Sequence, residues 1–151
     1  MNVVIKEEQF KISNIYYTEP IQNIIMDNSQ FIKIVYSTED IILNGIYLLV
    51  ELKHITKENY FKKIKITYDT VLNKNILSRI YEIENQLLQK YNINKKKQRK
   101  IIYDTLNNGV IKLFPNNDYD IINTNNSFIL KISGIWENDA EYGLTYKLLC
   151  I

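Results

Sequence analysis

Side chains that could carry acid–base, nucleophilic or metal chemistry are scarce in this sequence. His54 is the only histidine and Cys150 the only cysteine, so the usual zinc ligands cannot be assembled within one copy of the chain. Asp118 and Asp120 form an acidic pair, but a pair in an Asn-rich loop is typical of solvated surface. The four glycines are isolated from one another, which excludes a glycine-rich phosphate loop. We therefore expect a protein that is not an enzyme and that needs no metal or cofactor.

Lysines and aromatic residues on predicted strands offer a more specific chemistry. Tyr47 lies at a polar alternate position of its strand, and Trp136 joins the same face if Gly134 introduces a β-bulge that reverses the alternation. Six lysines share this alternation and would lie together on the solvent face of a curved sheet: Lys33, Lys53, Lys63, Lys65, Lys131 and Lys147. Single strands are bound without sequence preference when lysines follow the phosphates and bases stack on aromatic rings. These eight residues form the predicted nucleic-acid-binding site.

A plainer interpretation of the lysines stays open. Ile, Asn, Lys and Tyr make up about half of the chain and share AT-rich codons, so any half-buried sheet in it places lysines outside. On this interpretation Trp136 is a core residue. The dense basic run NKKKQRK at residues 94 to 100 is interpreted as the solvated start of a helix, and the alternative interpretation is a patch that contacts phosphates.

The elements that would position these residues follow from hydrophobic periodicity. Alternation predicts strands at residues 31 to 37, 46 to 53 and 60 to 69, and Asn44-Gly45 favours a hairpin turn. Helical spacing of apolar residues begins after Asn73, a predicted N-cap, and continues to about residue 91. Residues 95 to 108 predict a further helical turn or two.

A closing hairpin at residues 128 to 149 is the most regular part of the pattern. Its core-facing residues are predicted to be Phe128, Leu130, Ile132, Leu144, Tyr146 and Leu148. Strands that come before and after one long helix argue for an α+β fold rather than a parallel α/β one. We predict a single domain over residues 1 to 151, with a curved, mainly antiparallel sheet or a small OB-like barrel and one main helix at about 74 to 91.

Charge and cysteine content set limits on partners and compartment. The net charge is +2 and the isoelectric point about 8.5, which permits a nucleic-acid partner without demanding one. A single cysteine fits a reducing compartment, and charged residues interrupt the first ten positions where a signal peptide would be apolar. No uninterrupted apolar stretch of the sequence is long enough to span a membrane. The expectation is an intracellular protein without a membrane partner.

Two segments resemble a known group of proteins. LNGIYLLVELK and ILKISGIWE…YGLTYKLL look like short proteins of large AT-rich eukaryotic DNA viruses, and the terminal hairpin is similar to the last strands of their OB-fold single-stranded-DNA-binding proteins. The similarity covers about a third of the chain. It implies sequence-independent binding of single-stranded DNA, with RNA left open. It also implies an accessory role in viral DNA replication or repair, in the host cytoplasm or a viral factory.

The alternative function is a protein-interaction or virion-associated module of the same fold, without catalysis and without a nucleic-acid role. The two functions differ in their expected response to salt, since binding through several lysines weakens as salt rises. A homo-oligomer is compatible with either, and the sequence does not identify protein partners.

Overall fold

Strands and two α-helices make up the fold in the computed structural model, which describes residues 3–25, 27–92, 96–113 and 126–150. The helices are α1 (Lys74–Tyr91) and α2 (Ile101–Leu106), and two single 3₁₀ turns lie near the N-terminus at Glu7–Gln9 and Ile12–Asn14. The strands are β1 (Val4–Lys6), β2 (Ile15–Tyr17), β3 (Ile21–Gln22), β4 (Gln30–Ser37), β5 (Ile42–Asn44), β6 (Ile46–Glu51), β7 (Ile55–Tyr60), β8 (Lys63–Tyr68), β9 (Lys97–Arg99), β10 (Val110–Leu113), β11 (Ser127–Glu137) and β12 (Glu141–Cys150).

Nine of the described strands form one mixed sheet centred on β11. β11 pairs antiparallel with β12 along its length, with β6 along its first half and with β4 along its second half. β1 pairs in parallel with β6, and β9 pairs in parallel with β12. β2, β3 and β5 pair antiparallel with β4. The pairing does not close into a barrel anywhere in the described part of the chain. The α+β class is confirmed and a curved, mainly antiparallel sheet is consistent with this topology, whereas the OB-like barrel is not what the strands form.

A second, three-stranded antiparallel sheet consists of β7, β8 and β10. The predicted strand over residues 60 to 69 is confirmed at Lys63–Tyr68, which is β8, but its predicted start is wrong, because residues 60 to 62 belong to the end of β7 and the turn of the β7–β8 hairpin. Tyr60 pairs with Lys63, which leaves Phe61 and Lys62 as a two-residue turn. Alternation alone did not reveal the turn because neither of its residues is Gly, Asn or Asp, the residues that favour the positive φ that such turns need. Phe61 nevertheless has a φ of 56°.

One hydrophobic core joins the two sheets and the helices. α1 contributes a stripe at helical spacing, and its bounds agree with the predicted helix at 74 to 91. The predicted core side of the closing hairpin is confirmed: Phe128, Leu130, Ile132 and Leu144 are buried, and Tyr146 and Leu148 pack against the core. Ile135 and Tyr142 complete this face beyond the predicted set. The opposite face of the nine-stranded sheet, which we call the outer face, is left half-exposed.

Asn73 precedes α1 as predicted, but its side chain does not cap the helix. It is buried and instead makes three hydrogen bonds, accepting one from the backbone N–H of Lys53 at 2.8 Å and donating to the carbonyls of Lys53 at 3.0 Å and Asp69 at 2.9 Å. Buried polar side chains are retained where every bond they can make is satisfied. Asn73 thus ties the end of β6 to the start of the main helix.

Of the basic run at residues 94 to 100, the structure describes residues 96 to 100, and no helix begins among them. Within its described part, Lys97, Gln98 and Arg99 form β9, which pairs with the free edge of β12, and α2 begins only at Ile101. The reason is tertiary: β12 has an unpaired side, and a third strand there satisfies backbone groups that would otherwise remain without partners. The predicted helical turn or two within residues 95 to 108 is thus confirmed as α2, whereas its expected start in the basic run is wrong.

Asn44-Gly45 also has a different role from the predicted hairpin. Only Gly45 adopts a positive φ, at 95°, and the strands on either side of it do not pair with each other. β5 pairs with β4, whereas β6 pairs with β11 and β1. A side chain at position 45 would come within 2.9 Å of the Ile132 carbonyl oxygen. The pair therefore forms a corner at which the chain changes partners.

Candidate nucleic-acid interface

A shift in register within β11 decides which side chains reach the outer face. Lys131 pairs with Lys147 of β12, and the register shifts between Ile132 and Gly134. Trp136 consequently pairs with Gly143. Positions 143 and 147 have the same alternation on β12 and therefore lie on the same side of the sheet. The β-bulge on which the placement of Trp136 was conditional is therefore present next to Gly134, and it brings Trp136 to the face that carries Lys131.

The first row across the outer face runs from β6 through β11 to β12 and consists of Tyr47, Lys131 and Lys147. The ammonium of Lys131 lies 5.4 Å from the centre of the Tyr47 ring, within range of a cation–π interaction. Lys131 and Lys147 are direct cross-strand neighbours, and like charges in this relation destabilise a sheet. An anion bound between the two ammonium groups would remove that repulsion.

The second row crosses β4, β11 and β12 and is aromatic. Phe31 pairs with Trp136, which pairs with Gly143. The indole of Trp136 lies over Gly143, since a Cβ there would be 3.0 Å from Cζ2 and 3.1 Å from Cε2. The ring of Phe31 extends over Gly134 in the same way, with Cζ 2.6 Å from where a Cβ would stand. Each ring fills the space above a glycine of the adjacent strand, so the sheet supports two aromatic platforms on one side.

Lys33 lies next to these rows on β4. It pairs with Gly134, and its side chain is exposed. Its backbone is anchored by Thr18, whose Oγ1 accepts from the Lys33 N–H at 3.1 Å and whose N–H donates to the Lys33 carbonyl at 3.0 Å. Of the eight predicted site residues, five therefore share the outer face: Lys33, Tyr47, Lys131, Trp136 and Lys147.

The other three predicted residues lie elsewhere. Lys53 follows the end of β6 and therefore lies outside the strands of the nine-stranded sheet, where it is exposed and lines a cleft together with Leu49 and Arg79. Lys63 and Lys65 belong to β8 and therefore to the three-stranded sheet. The single lysine face expected from the sequence is thus divided between two sheets.

Two further residues of the outer face were not predicted. Phe31 has the same alternation as Lys33, a signal that was present in the sequence. Arg99 lies on β9 opposite Gly143. Its place on this face could not be predicted from the sequence, because its segment was expected to be helical. Its Nη1 donates to Glu141 Oε2 at 2.9 Å, and this hydrogen bond raises the pKa of Arg99, which keeps the group cationic.

The groups that could carry other chemistry are dispersed. His54 is exposed at a positive φ of 53° between β6 and β7, and Cys150 is buried at the end of β12. Asp118 and Asp120 lie outside the described residues. Among the residues that are described, no group of three or more His, Cys, Asp or Glu side chains could hold a metal ion.

The outer face thus offers cations and half-exposed rings side by side on adjacent strands, an arrangement suited to a flexible polyanion that carries planar groups. In the described part of the chain, neither helix has the length and apolar character that crossing a membrane requires. No protein-family model matches the sequence, and no curated protein or solved structure is significantly similar to it.

Proposed function

We propose that the outer face binds single-stranded nucleic acid without sequence preference. The observation that carries this proposal is the direct opposition of Lys131 and Lys147 beside Tyr47, with Trp136 and Phe31 on the same face. Phosphates would lie along the lysine row and relieve its repulsion, while bases would stack on the aromatic row. An accessory role in viral DNA replication or repair belongs to the same proposal and is supported only by the resemblance of the closing hairpin.

Single strands fit this face better than a duplex does. Stacking on a protein ring requires a base that is unpaired and out of its own stack, a condition that duplex DNA meets only at a cost. Lysine contacts to phosphates and ring contacts to base faces carry no information about base identity. The expected preference is therefore for single strands of any sequence over duplex.

Replacing the lysine pair should change the salt dependence of binding. Lys131→Gln with Lys147→Gln should weaken binding of a labelled single-stranded oligonucleotide at low salt. It should also reduce the slope of log affinity against log salt by about 0.7 for each phosphate that the variant no longer neutralises. Fluorescence anisotropy at several salt concentrations measures both quantities. The matched control is Lys11→Gln with Lys74→Gln, two exposed lysines that lie on neither sheet. A lysine-pair variant that behaves like this control would contradict the proposal.

Trp136 provides a direct reporter because it is the only tryptophan. Its fluorescence should be quenched when a single-stranded oligonucleotide binds, and Trp136→Ala should weaken binding by about 1–3 kcal/mol at all salt concentrations with little change in slope. Trp136→Phe keeps a stacking ring and should retain most of the affinity. Melting temperatures of both variants separate loss of binding from loss of folding. If Trp136→Ala is unstable yet binds normally, the stacking role is wrong.

The second candidate, a protein-interaction module, is favoured by a cluster of exposed isoleucines. Ile24 and Ile25 are 97% and 92% exposed, and Ile21, which pairs with Phe31, is 61% exposed. Contiguous exposed apolar surface commonly marks a protein contact. This function forecasts no affinity for oligonucleotides at any salt concentration, so the anisotropy experiment distinguishes the two.

A further inference from the structure

The tip of the β7–β8 hairpin carries an aromatic residue that folding does not explain. Phe61 is 91% exposed and has a φ of 56°, in the left-handed region that favours glycine. A bulky residue in this conformation is uncommon and costs free energy, and its exposed ring gains nothing from the core. Such a combination at the end of a hairpin indicates a role outside the fold of this chain.

The surroundings of Phe61 are aromatic and cationic. Its ring meets the Tyr60 ring edge-on, with centroids 4.9 Å apart. The ammonium of Lys112 lies 4.4 Å from the centre of the Tyr60 ring, and that of Lys65 lies 5.9 Å from it. Lys62 is exposed in the turn itself. Lys65 of β8 and Lys112 of β10 therefore place two cations at the Tyr60 ring, which contacts Phe61. The nearby carboxylate of Glu58 is paired with Lys65 at 3.4 Å.

The ligand that fits this tip must be anionic and must also offer planar groups. An acidic peptide supplies charge without a planar face for each charge, and a duplex keeps its bases inside the stack. A single-stranded nucleic acid supplies both, because each nucleotide carries one phosphate and one base that is free to stack. The tip also lies on a different sheet from Lys131, Lys147 and Trp136.

We propose that the β7–β8 hairpin tip is a second contact site for single-stranded nucleic acid. Phe61 stacks on an unpaired base, and Lys62 and Lys112 contact the neighbouring phosphates. The class of ligand rests on the proposed function of the outer face, but the residues are separate. Each site can therefore be removed without touching the other.

Phe61→Gly tests the ring without endangering the fold. Glycine is the residue that this φ favours, so the variant should melt at the same temperature as the parent or higher. Its affinity for a single-stranded oligonucleotide should fall about tenfold. Val71→Ala, which removes another exposed apolar side chain away from both sheets, should bind as the parent does. Normal affinity of Phe61→Gly would overturn the inference.

The cations are tested by Lys62→Gln with Lys112→Gln. This pair should reduce the salt slope by about 1.4, because two phosphates would no longer be neutralised and each accounts for about 0.7. The double variant of Lys11 and Lys74 again serves as the matched control. A tryptophan placed at the tip reports binding there directly: Phe61→Trp in a Trp136→Phe background should be quenched by the oligonucleotide, and an unchanged signal would overturn the inference.

The outcomes separate this inference from the proposed function. If the Lys131 and Lys147 variant loses affinity while the hairpin variants bind normally, the outer face binds and the hairpin does not. If the hairpin variants lose affinity while the Lys131 and Lys147 variant binds normally, the hairpin tip is the binding site and the proposal for the outer face is wrong. If oligonucleotides fail to quench the tip tryptophan but vesicles containing phosphatidylserine do so, the tip recognises an anionic membrane and the inference is wrong. Absence of oligonucleotide binding by the parent protein overturns both proposals.

Discussion

Replacing Gly134 with alanine should lower the free energy of unfolding by about 3 kcal/mol, at the upper end of the usual cost of overpacking. A Cβ at this position would overlap the carbonyl oxygen of Ile32 and would lie 2.6 Å from Cζ of the Phe31 ring. The Phe31 ring could rotate away, but the Ile32 carbonyl belongs to the backbone of β4 and is fixed by its pairing with β11. The variant must therefore separate the two strands or distort them.

Urea denaturation followed by circular dichroism measures this effect, and Gly143→Ala is its matched control. A Cβ at position 143 would lie 3.0 Å from Cζ2 of Trp136 and 3.0 Å from the Arg99 carbonyl oxygen, distances that small shifts could relieve. We expect a loss of about 1 kcal/mol for this control. If Gly134→Ala is as stable as the parent, then β4 and β11 do not approach as closely as the aromatic row requires.

Replacing Glu84 with alanine should lower the free energy of unfolding by a similar amount, about 3 kcal/mol. Glu84 is 0% exposed on α1, and its carboxylate accepts from the backbone N–H groups of Ile102 at 2.8 Å and Tyr103 at 2.9 Å. These N–H groups begin α2 and have no partner within that helix. Alanine would leave both without an acceptor and would open a cavity. A loss below about 1 kcal/mol would mean that water replaces the carboxylate.

The stability contribution of Glu84 should also depend on pH. Burial raises the pKa of its carboxyl above the usual value and outweighs the two amide hydrogen bonds, which lower it. The native state therefore holds the proton to a higher pH than the unfolded state does, whose carboxyl titrates near roughly 4.3. It follows that the contribution is full below that pH and is lost as pH rises through the folded pKa.

Glu84→Gln provides the comparison for this pH effect, since it keeps the shape of the side chain but does not titrate. The free energy of unfolding of the wild type minus that of the variant should decrease as pH rises from about 4 towards neutral. Denaturation of both proteins over this range cancels the titration of the carboxylates that they share. A difference that stays constant, or grows with pH, would show that the folded pKa of Glu84 is not raised.

The candidate interface depends on glycine as much as on aromatic residues. Gly134 and Gly143 leave space above the sheet that Phe31 and Trp136 occupy, so the rings are held by strand pairing rather than by a pocket. This arrangement sets the position of each ring relative to the row of Lys131 and Lys147. It also explains why the two rows, one cationic and one aromatic, can share a single sheet face.

The local pattern of the sequence was sufficient to predict features that depend on one element or on one adjacent pair. The helix at Lys74–Tyr91 and the core side of the β11–β12 hairpin are of this kind. Each follows from the spacing of apolar side chains along a continuous segment. A spacing of about 3.6 residues places side chains on one face of a helix, and a spacing of two places them on one face of a strand. Alternation also predicted the polar side of each strand for Lys33, Tyr47, Lys131 and Lys147, and the binding role of these residues stays a prediction.

Only the tertiary structure decided which strands are neighbours. Alternation assigns Lys63 and Lys65 to the polar side of their strand, but it does not state which sheet the strand joins, and β8 joins the smaller one. Likewise, the strand at Lys97–Arg99 forms because the distant β12 offers an unpaired edge, a cause that no residue within the segment encodes. The turn at Phe61–Lys62 is held by the pairing of β7 with β8 against the preference of its own residues. Backbone hydrogen bonds between strands outweighed local propensity at Lys97–Arg99 and at the Phe61–Lys62 turn, and the place of β8 in the smaller sheet divided one predicted lysine surface into two.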